Sequence, residues 1–303
     1  MTPSTLLARV LQQDAINFAL TNRIPRRLLT RLAGRLSRTE RPLVRDASIA
    51  LWQFFGGDLH LEEARTRTFA SLHDCFIREL KEGARPVDPD PAVLVSPCDG
   101  IVGATGVIRQ GQLLQAKGSR YTLDDLAGGQ DVSPFAGGRY VTLRLTSTMY
   151  HRFHAPADLH LAGTTFIPGD LWNVNPVAVR RIPRLYCRNE RAVLRATTAS
   201  GHPLLLVAVG AVLVGSIHIH AVGQPLNQDY GGPCHLPCDV DAGKGDELGY
   251  FHHGSTIIVI AAPGLTPCPG VVTGATVRMG QALLRQDVVW DGHVGHPDSS
   301  GRV

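Results

Sequence analysis

The sequence predicts an α+β fold in which N-terminal helices precede a β-rich domain of mostly antiparallel strands. Apolar residues recur at helical spacing before residue 80, whereas short aliphatic and β-branched runs follow residue 90. The chain has 32 glycines and 20 prolines, and they separate most of these runs, as expected for short strands joined by turns. A hydrophobic fraction of 44% and a charged fraction of 18% exclude a disordered chain.

The first predicted helix covers residues 24–37. Leu29, Leu32 and Leu36 follow Leu28 by one, four and eight residues, which gives an apolar stripe. Arginines gather on a different face, namely Arg27, Arg31, Arg35 and Arg38. Such a helix can lie in a membrane interface, where each basic residue gains about 1 kcal/mol from anionic lipid. The alternatives are a surface helix packed on its own domain and a mitochondrial-type transit peptide.

Positive charge is concentrated in the first 45 residues. They contain nine arginines against Asp14 and Glu40, a net charge of +7, so the rest of the +4 chain carries −3. This asymmetry indicates an anionic surface as partner. No aromatic residues alternate with the arginines as single-stranded nucleic acid would favour, so we expect membrane contact and no nucleic acid.

Two further helices are predicted at residues 47–55 and 69–80, with Gly56-Gly57 between them. Three prolines between residues 86 and 91 then indicate a linker. We therefore divide the chain into an N-terminal basic amphipathic region, residues 1–85, and a β-rich domain, residues 86–303. No signal peptide is evident. The longest apolar stretch, residues 204–215, is shorter than the roughly 20 residues of a membrane span.

The β-rich domain contains the predicted strands, and its tail from residue 287 is polar and expected to be loose. The predicted strands are residues 92–95, 100–107, 140–145, 192–197, 204–219, 256–261 and 271–277. Six cysteines are scattered without a framework spacing, so we expect free thiols.

Three local patterns could carry chemistry. Asp99 lies in a tight turn, where aspartate often bonds nearby backbone amides. His151 and His154 lie in a Tyr-His-Arg-Phe-His segment and could transfer protons near neutral pH. Ser255 follows Gly254 directly before a buried strand, which locally reads as a polar turn.

A zinc site is the competing interpretation of the two histidines. His-x-x-His can ligate zinc, but a site needs further ligands at suitable spacing. The nearest group, Cys234-His235-x-x-Cys238, has a loose spacing in a Gly/Pro-rich stretch and reads as a loop. We therefore predict no metal.

Taken together, these segments resemble the phosphatidylserine decarboxylases, the pyruvoyl-dependent lipid enzymes, of the bacterial membrane-associated type. The similarity runs from about Ile24 to about Leu284, and its parts follow the order of the family. They are Phe76-Ile77-Arg78-Glu79-Leu80, Arg85-Pro86, Ser96-Pro97-Cys98-Asp99-Gly100, Lys117-Gly118 with Tyr121, Tyr150-His151-Arg152-Phe153-His154, Val174-Asn175-Pro176, Asn189-Glu190-Arg191, Val214-Gly215-Ser216-Ile217 and Gly245-Asp246-Glu247-Leu248-Gly249 leading to Gly254-Ser255-Thr256.

The resemblance implies a proenzyme that cuts its own chain between Gly254 and Ser255. Ser255 attacks the Gly254 carbonyl, with His154 as the base and Asp99 holding the His154 tautomer. The resulting ester is eliminated, and loss of ammonia to water leaves a pyruvoyl group in place of Ser255. The β chain (1–254) and the α chain (255–303) are expected to remain associated.

The resemblance also implies conversion of phosphatidylserine to phosphatidylethanolamine through a Schiff base with the pyruvoyl group, the electron sink of the reaction. His151 is the expected proton donor, and Asn175 and Lys117 are expected to contact the headgroup. The enzyme is expected to be peripheral on the cytoplasmic face of the inner membrane. Monomer and homo-oligomer both stay open.

Two alternatives also stay open. One is the same pyruvoyl chemistry on another serine-headed lipid or on a soluble amino acid, although the arginine-rich helix disfavours the soluble substrate. The other is a non-enzymatic β-rich binding module.

Overall fold

The computed structural model of the protein describes residue 18 and residues 25–116, 119–212, 216–252 and 255–287. Within these residues, the helices are α1 (Arg26–Ser37), α2 (Pro42–Gly56), α3 (Leu72–Phe76), α4 (Leu123–Ala127), α5 (Pro176–Arg181) and α6 (Leu185–Arg188). The strands are β1 (Val93–Val95), β2 (Gly100–Val107), β3 (Gln112–Ala116), β4 (Ser119–Thr122), β5 (Arg139–Arg144), β6 (Arg152–His154), β7 (Leu159–Ile167), β8 (Arg191–Thr198), β9 (Pro203–Val209), β10 (Ser216–Ile219), β11 (Pro225–Asn227), β12 (His235–Ala242), β13 (Glu247–Phe251), β14 (Thr256–Ala261), β15 (Leu265–Pro267), β16 (Thr276–Val277) and β17 (Ala282–Gln286). The predicted α+β class is confirmed.

The first two helices lie outside the main core. Pro42 starts α2 at a position where a missing N–H costs nothing, and none of the residues of α2 is buried. The predicted helix over residues 69–80 is much shorter. It is α3, which Ser71 caps by accepting a hydrogen bond from the Asp74 N–H at 3.1 Å, and which buries Cys75 and Phe76. In the part of the chain that the structure describes, every helix is too short or too polar to cross a bilayer.

An eight-stranded antiparallel sheet organises the β-rich domain, in the order β12-β7-β8-β9-β14-β5-β2-β16. Its central strand β14 pairs with β9 on one side and β5 on the other, and all six of its residues are buried. This burial explains the continuous apolar run that predicted the strand, because no face of β14 meets water. Ser255 immediately precedes β14, so the core of the domain fixes its position.

A four-stranded sheet, β11-β10-β13-β6, lies next to the first, and two chain segments cross between them. One segment joins β5 to β6 and the other joins β13 to β14. They are tied by a bond from the Leu145 N–H to the Ser255 carbonyl at 2.9 Å and by one from the Phe251 N–H to the His151 carbonyl at 3.0 Å. The registered pairing of β14 with β5 begins at Thr256, the residue after Ser255.

Two strand predictions differ from the structure. The apolar run 204–219 forms two strands in different sheets, β9 and β10, with a break after residue 209. Of residues 271–277, only 276–277 form a strand, β16. All six cysteines are free, as expected.

Candidate active site

Ser255 is fully buried at the start of β14. Its carbonyl oxygen accepts a hydrogen bond from Leu145, which fixes the backbone against β5. Its Oγ has no hydrogen-bond partner among the residues that the structure describes. A buried hydroxyl without a partner lowers the free energy of unfolding by about 1–3 kcal/mol. Such groups are rare in folded proteins, so Ser255 Oγ is unusual. Gly254 lies outside the described residues.

A cavity of about 690 Å³ has Ser255 in its wall. Helices α1 and α2 supply most of its apolar lining, including Leu36, Leu51 and Phe55. Leu72 and Phe76 of α3 complete it. The remaining lining comes from residues 144–147, 173–175 and 211–212. The cavity therefore places an unpartnered hydroxyl beside a surface suited to hydrocarbon.

His154, at the end of β6, has a defined tautomer. Its Nδ1 lies 2.9 Å from the Gly245 carbonyl oxygen, which can only accept, so Nδ1 carries the hydrogen. Its Nε2 therefore holds a lone pair and accepts from the Tyr150 hydroxyl at 3.0 Å. Burial lowers the pKa of His154, although the Gly245 carbonyl acts in the opposite direction. His154 is thus a neutral base at neutral pH.

The backbone conformation at position 245 requires glycine. Its φ of 93° is in the region that favours glycine, and a Cβ at this position would lie 2.9 Å from a methyl group of Val87. The conformation presents the carbonyl oxygen to His154.

Asp99 does not bond to His154, in contrast to the expected arrangement. Its carboxylate accepts from Nε and Nη2 of Arg85 at 2.9 and 2.7 Å, and from the Met279 N–H at 2.9 Å. Arg85 also pairs with Glu63 at 2.8 Å. The two acids and their hydrogen bonds raise the pKa of Arg85 above its ordinary value although burial opposes this. The Gly245 carbonyl, not Asp99, fixes the His154 tautomer.

Tyr150 lies between these two groups. A cavity of about 150 Å³ is lined by Asp99, Arg85 and Tyr150, and another of about 240 Å³ is lined by Tyr150 and His154. Burial raises the pKa of Tyr150, so its phenol is protonated and donates to His154. The structure thus brings Asp99 and His154 to neighbouring cavities that share Tyr150 and Arg85, and neither forms a hydrogen bond with Ser255 Oγ.

His151 is 1% exposed and lies behind the wall of the Ser255 cavity. Its ring packs on Phe76, which lines that cavity, with centroids 4.1 Å apart. Nδ1 donates to the Met149 carbonyl at 2.7 Å, and Nε2 has no partner among the described residues. Burial lowers the pKa of His151 to about 3. His151 is therefore neutral, with an unoccupied lone pair.

Of Asn175 and Lys117, the two residues expected to contact the headgroup, the structure describes only Asn175. Asn175 lines the Ser255 cavity, and its side-chain oxygen also caps α5 by accepting from the Ala178 N–H at 2.8 Å. Lys117 lies outside the described residues.

Asn189, read from the sequence as part of a polar turn, is fully buried, and its side-chain amide forms hydrogen bonds with both the N–H and the carbonyl of Trp172. This contact holds the 170–175 segment beside the cavity.

Metal ligation by the His-x-x-His segment gains no support. Among the described residues, the group of ligand atoms close enough to share an ion is Asp58, His60 and Glu62, all exposed. Nδ1 of His151 and both ring nitrogens of His154 make the hydrogen bonds given above.

Sequence reasoning gave no role to three residues near the site: Arg85, Tyr150 and Arg144. Arg85 and Tyr150 were quoted only as parts of motifs. Arg144 had a signal, because it is a lone charge inside a strand predicted to be buried.

Comparisons with known proteins agree with the resemblance noted from the sequence. The family model described as phosphatidylserine decarboxylase matches residues 72–285. The phosphatidylserine decarboxylase proenzyme of Halorhodospira halophila is 40% identical over 281 residues, covering 90% of this chain and 94% of the relative. The proenzyme of the same name from Shewanella putrefaciens is 36% identical over 285 residues, covering 89% and 97%.

Proposed function

Because the chain belongs to the phosphatidylserine decarboxylase family, we propose that it converts phosphatidylserine to phosphatidylethanolamine with a pyruvoyl group made from Ser255. The chain is a self-processing proenzyme. Cleavage separates residues 1–254 from residues 255–303, and the two chains stay together. The paired strands support this association, because β14 of the second chain lies between β9 and β5 of the first.

The unpartnered hydroxyl of Ser255 is the observation that carries the proposal. A serine held by hydrogen bonds must break them before it attacks, whereas this Oγ has none to break. Ser255 itself lies just before the registered pairs of β14, which begin at Thr256. Ser255 attacks that carbonyl, and the amide nitrogen leaves as the serine amine.

A pyruvoyl group fits this position. It replaces Ser255 at the wall of the cavity, where a lipid headgroup can reach it, and it supplies the electron sink for the carbanion left when carbon dioxide departs. The apolar lining of the same cavity is suited to the acyl chains of a lipid.

His154 is the base for processing in this proposal, and Asp99 acts through Arg85 and Tyr150 rather than by direct contact. Neutral His154 has its lone pair on Nε2, where the Tyr150 hydroxyl already donates. The Nε2 lone pair therefore becomes available to Ser255 only when the bond from Tyr150 opens. Asp99 fixes Arg85 and residue 279 around this pocket.

His151 returns the proton to carbon after decarboxylation. It is neutral in the uncleaved protein, so it must first take up a proton on Nε2. An anionic substrate in the adjacent cavity favours that protonated form. Asn175 and Lys117 contact the headgroup.

Membrane attachment through the N-terminal helices supports a lipid substrate and a peripheral location on the cytoplasmic face. Seven large apolar side chains on α1 and α2 are exposed: Leu28, Leu32, Leu36, Leu43, Leu51, Phe54 and Phe55. Arg35 on α1 is also exposed, as are Arg38 and Arg41 between the two helices. Other arginines contact the β-rich domain instead, since Arg26 stacks on Trp172 and Arg31 pairs with Asp229.

The test is conversion of phosphatidylserine in mixed micelles, with the Ser255→Ala variant as control. The parent protein should release carbon dioxide and form phosphatidylethanolamine, and Ser255→Ala should do neither. Turnover of a different serine-headed lipid, with none of phosphatidylserine, would favour the alternative substrate. Conversion by Ser255→Ala at the parent rate would refute the pyruvoyl group.

A further inference from the structure

Arg144 ends β5 and lines the Ser255 cavity. It lies opposite Thr256, the residue after Ser255, in the pairing of β5 with β14. Among the residues lining this cavity in the described part of the chain, Arg144 alone carries a charge. The cavity therefore combines an apolar lining with one guanidinium near the reactive serine.

This guanidinium is partly buried and has no hydrogen-bond or ion-pair partner within the described residues, whereas nearby Arg85 and Arg191 are fully engaged. Burial lowers the pKa of Arg144, and the phenol of Tyr186 acts on it in the opposite direction. Burial also raises the pKa of Tyr186, so this phenol is neutral and offers no counter-charge.

A partly buried arginine without an ion-pair partner has lost part of its hydration and gained no counter-charge. Five N–H donors that face an apolar cavity are suited to an anion that arrives with hydrocarbon attached. A small hydrophilic anion would form the same ion pair with Arg144. It would not cover the apolar side chains of the cavity, such as Leu51 and Phe55, which would stay in contact with water.

We propose that Arg144 binds the phosphodiester of the lipid substrate, and this proposal rests on the proposed function. The substrate also has a carboxylate, but that group leaves as carbon dioxide. An ion pair between Arg144 and the carboxylate is lost in the transition state and raises the barrier. The phosphodiester keeps its charge throughout, so its ion pair with Arg144 stabilises substrate and transition state equally.

Such uniform binding predicts a change in KM without a change in kcat. Arg144→Gln and Arg144→Met should be cleaved completely, as judged on a denaturing gel. In neutral-detergent micelles their KM for phosphatidylserine should rise about 10- to 100-fold, with kcat within about threefold of the parent value. Arg120→Gln removes an exposed arginine on β4 and should leave both constants unchanged.

Inhibitors separate the possible anions. Phosphatidylethanolamine has the phosphodiester but no carboxylate, so its inhibition constant should weaken by the same factor as KM in both Arg144 variants. Inorganic phosphate at millimolar concentration should not compete. Equal competition by inorganic phosphate would show a free-phosphate site, and unchanged inhibition by phosphatidylethanolamine would assign Arg144 to the carboxylate. Either result overturns the proposal.

Thermal unfolding checks that the effect is not structural. Arg144→Met removes an unpartnered charge and should unfold at the same temperature as the parent or higher, whereas a structural arginine would give a lower one. Failure of both variants to cleave would assign Arg144 to processing and also overturn the proposal. If the parent protein does not convert phosphatidylserine, the proposed function itself fails, which these variants do not decide.

Discussion

Residues 145–150 separate two cavities whose polar groups are arranged in opposite ways. On one side, the 690 Å³ cavity holds Ser255 Oγ and Arg144, which lack partners among the described residues. On the other side, the 150 Å³ cavity holds Asp99 and Arg85, which are bound to each other and to further groups. Thr146 lines both.

Polar groups with hydrogen-bond partners and polar groups without them are expected to contribute differently to the protein. A satisfied buried network such as Asp99 with Arg85 holds neighbouring segments in place, and removing one member leaves the other charge stranded. An unsatisfied group lowers stability and is available to a substrate or a neighbouring carbonyl. Substitutions on the paired side should therefore act first on stability, and those on the unpaired side on activity.

Histidine substitutions should give the largest effects on rate. His154→Ala should slow self-cleavage about 10²- to 10⁴-fold, because a general base contributes that much. His151→Ala should still cleave but decarboxylate more slowly by a similar factor. Time courses on denaturing gels and carbon dioxide release measure the two steps, with His160→Ala, at a side chain that is 44% exposed, as control.

The reverse result would exchange the two roles. A His151→Ala protein that stays uncleaved, beside a His154→Ala protein that cleaves normally, would make His151 the base for Ser255. The unpartnered Nε2 of His151 gives that outcome a structural basis.

Asp99→Asn should produce the largest loss of stability. It leaves Arg85 buried with Glu63 as its remaining acid, so the free energy of unfolding should fall by about 3 kcal/mol, the low end for a broken buried pair. Ser255→Ala should change it by less than about 1 kcal/mol, since no bond is lost. Urea unfolding measures both, with Asp99→Asn made in the Ser255→Ala background so that only uncleaved chains are compared.

Recovery in the double variant Asp99→Asn/Arg85→Met supports a charge-pair effect. If Asp99→Asn in the Ser255→Ala background has the same urea midpoint as Ser255→Ala alone, the Asp99–Arg85 pair does not stabilise the fold. The proposed difference between the two cavities is then wrong.

Acid should destabilise the protein through its buried histidines. The pKa of His151 is about 3 in the folded protein against an ordinary value of 6.5, so between these values the unfolded chain binds more protons. Stability contributed by neutral His151 is therefore present above pH 6.5 and is lost as pH falls, by about 1.4 kcal/mol per unit. His73, with a pKa of about 4, acts in the same direction.

In the Ser255→Ala background, His151→Asn should make the pH dependence of unfolding shallower between about pH 6 and 4. His160→Gln serves as the exposed control. An unchanged slope in His151→Asn would show that His151 is not held neutral by burial.

Membrane binding should show the smallest effect of a single substitution. Phe54→Asp removes an aromatic side chain that is 72% exposed on α2. Its burial in a bilayer is worth about 1.5–3 kcal/mol, so partition onto anionic vesicles should weaken about 10- to 100-fold. Val272→Asp changes a similarly exposed residue of the β-rich domain, and vesicle sedimentation should show little change. Equal loss in both variants would place the contact elsewhere.

The sequence predicted those elements whose apolar pattern is decided locally. Strands β2 and β14 have the predicted bounds, and α1 differs by two residues at its start, because continuous apolar runs and helical stripes reflect their burial directly. The strand at 159–167 was missed. Its exposed and half-buried positions interrupt the apolar pattern, and it is held by pairing with β8 and β12.

The site was predicted as a set of residues but not as a set of contacts. Ser255, His151 and His154 were singled out by their residue types and by the family resemblance, and their catalytic roles stay predictions. The Asp99–Arg85 pair and the Gly245–His154 bond join residues 14 and 91 positions apart. No local pattern encodes such partners, and the expected Asp99–His154 bond was drawn from the resemblance alone.

Intact mass spectrometry of the purified chain tests the central claim most directly. The account predicts two chains that divide between residues 254 and 255, the smaller one lighter by one ammonia than a fragment beginning with serine. Ser255→Ala should give one chain of full length. A single uncleaved chain from the parent protein in its active form, or a small fragment that begins with unmodified serine, would contradict the account.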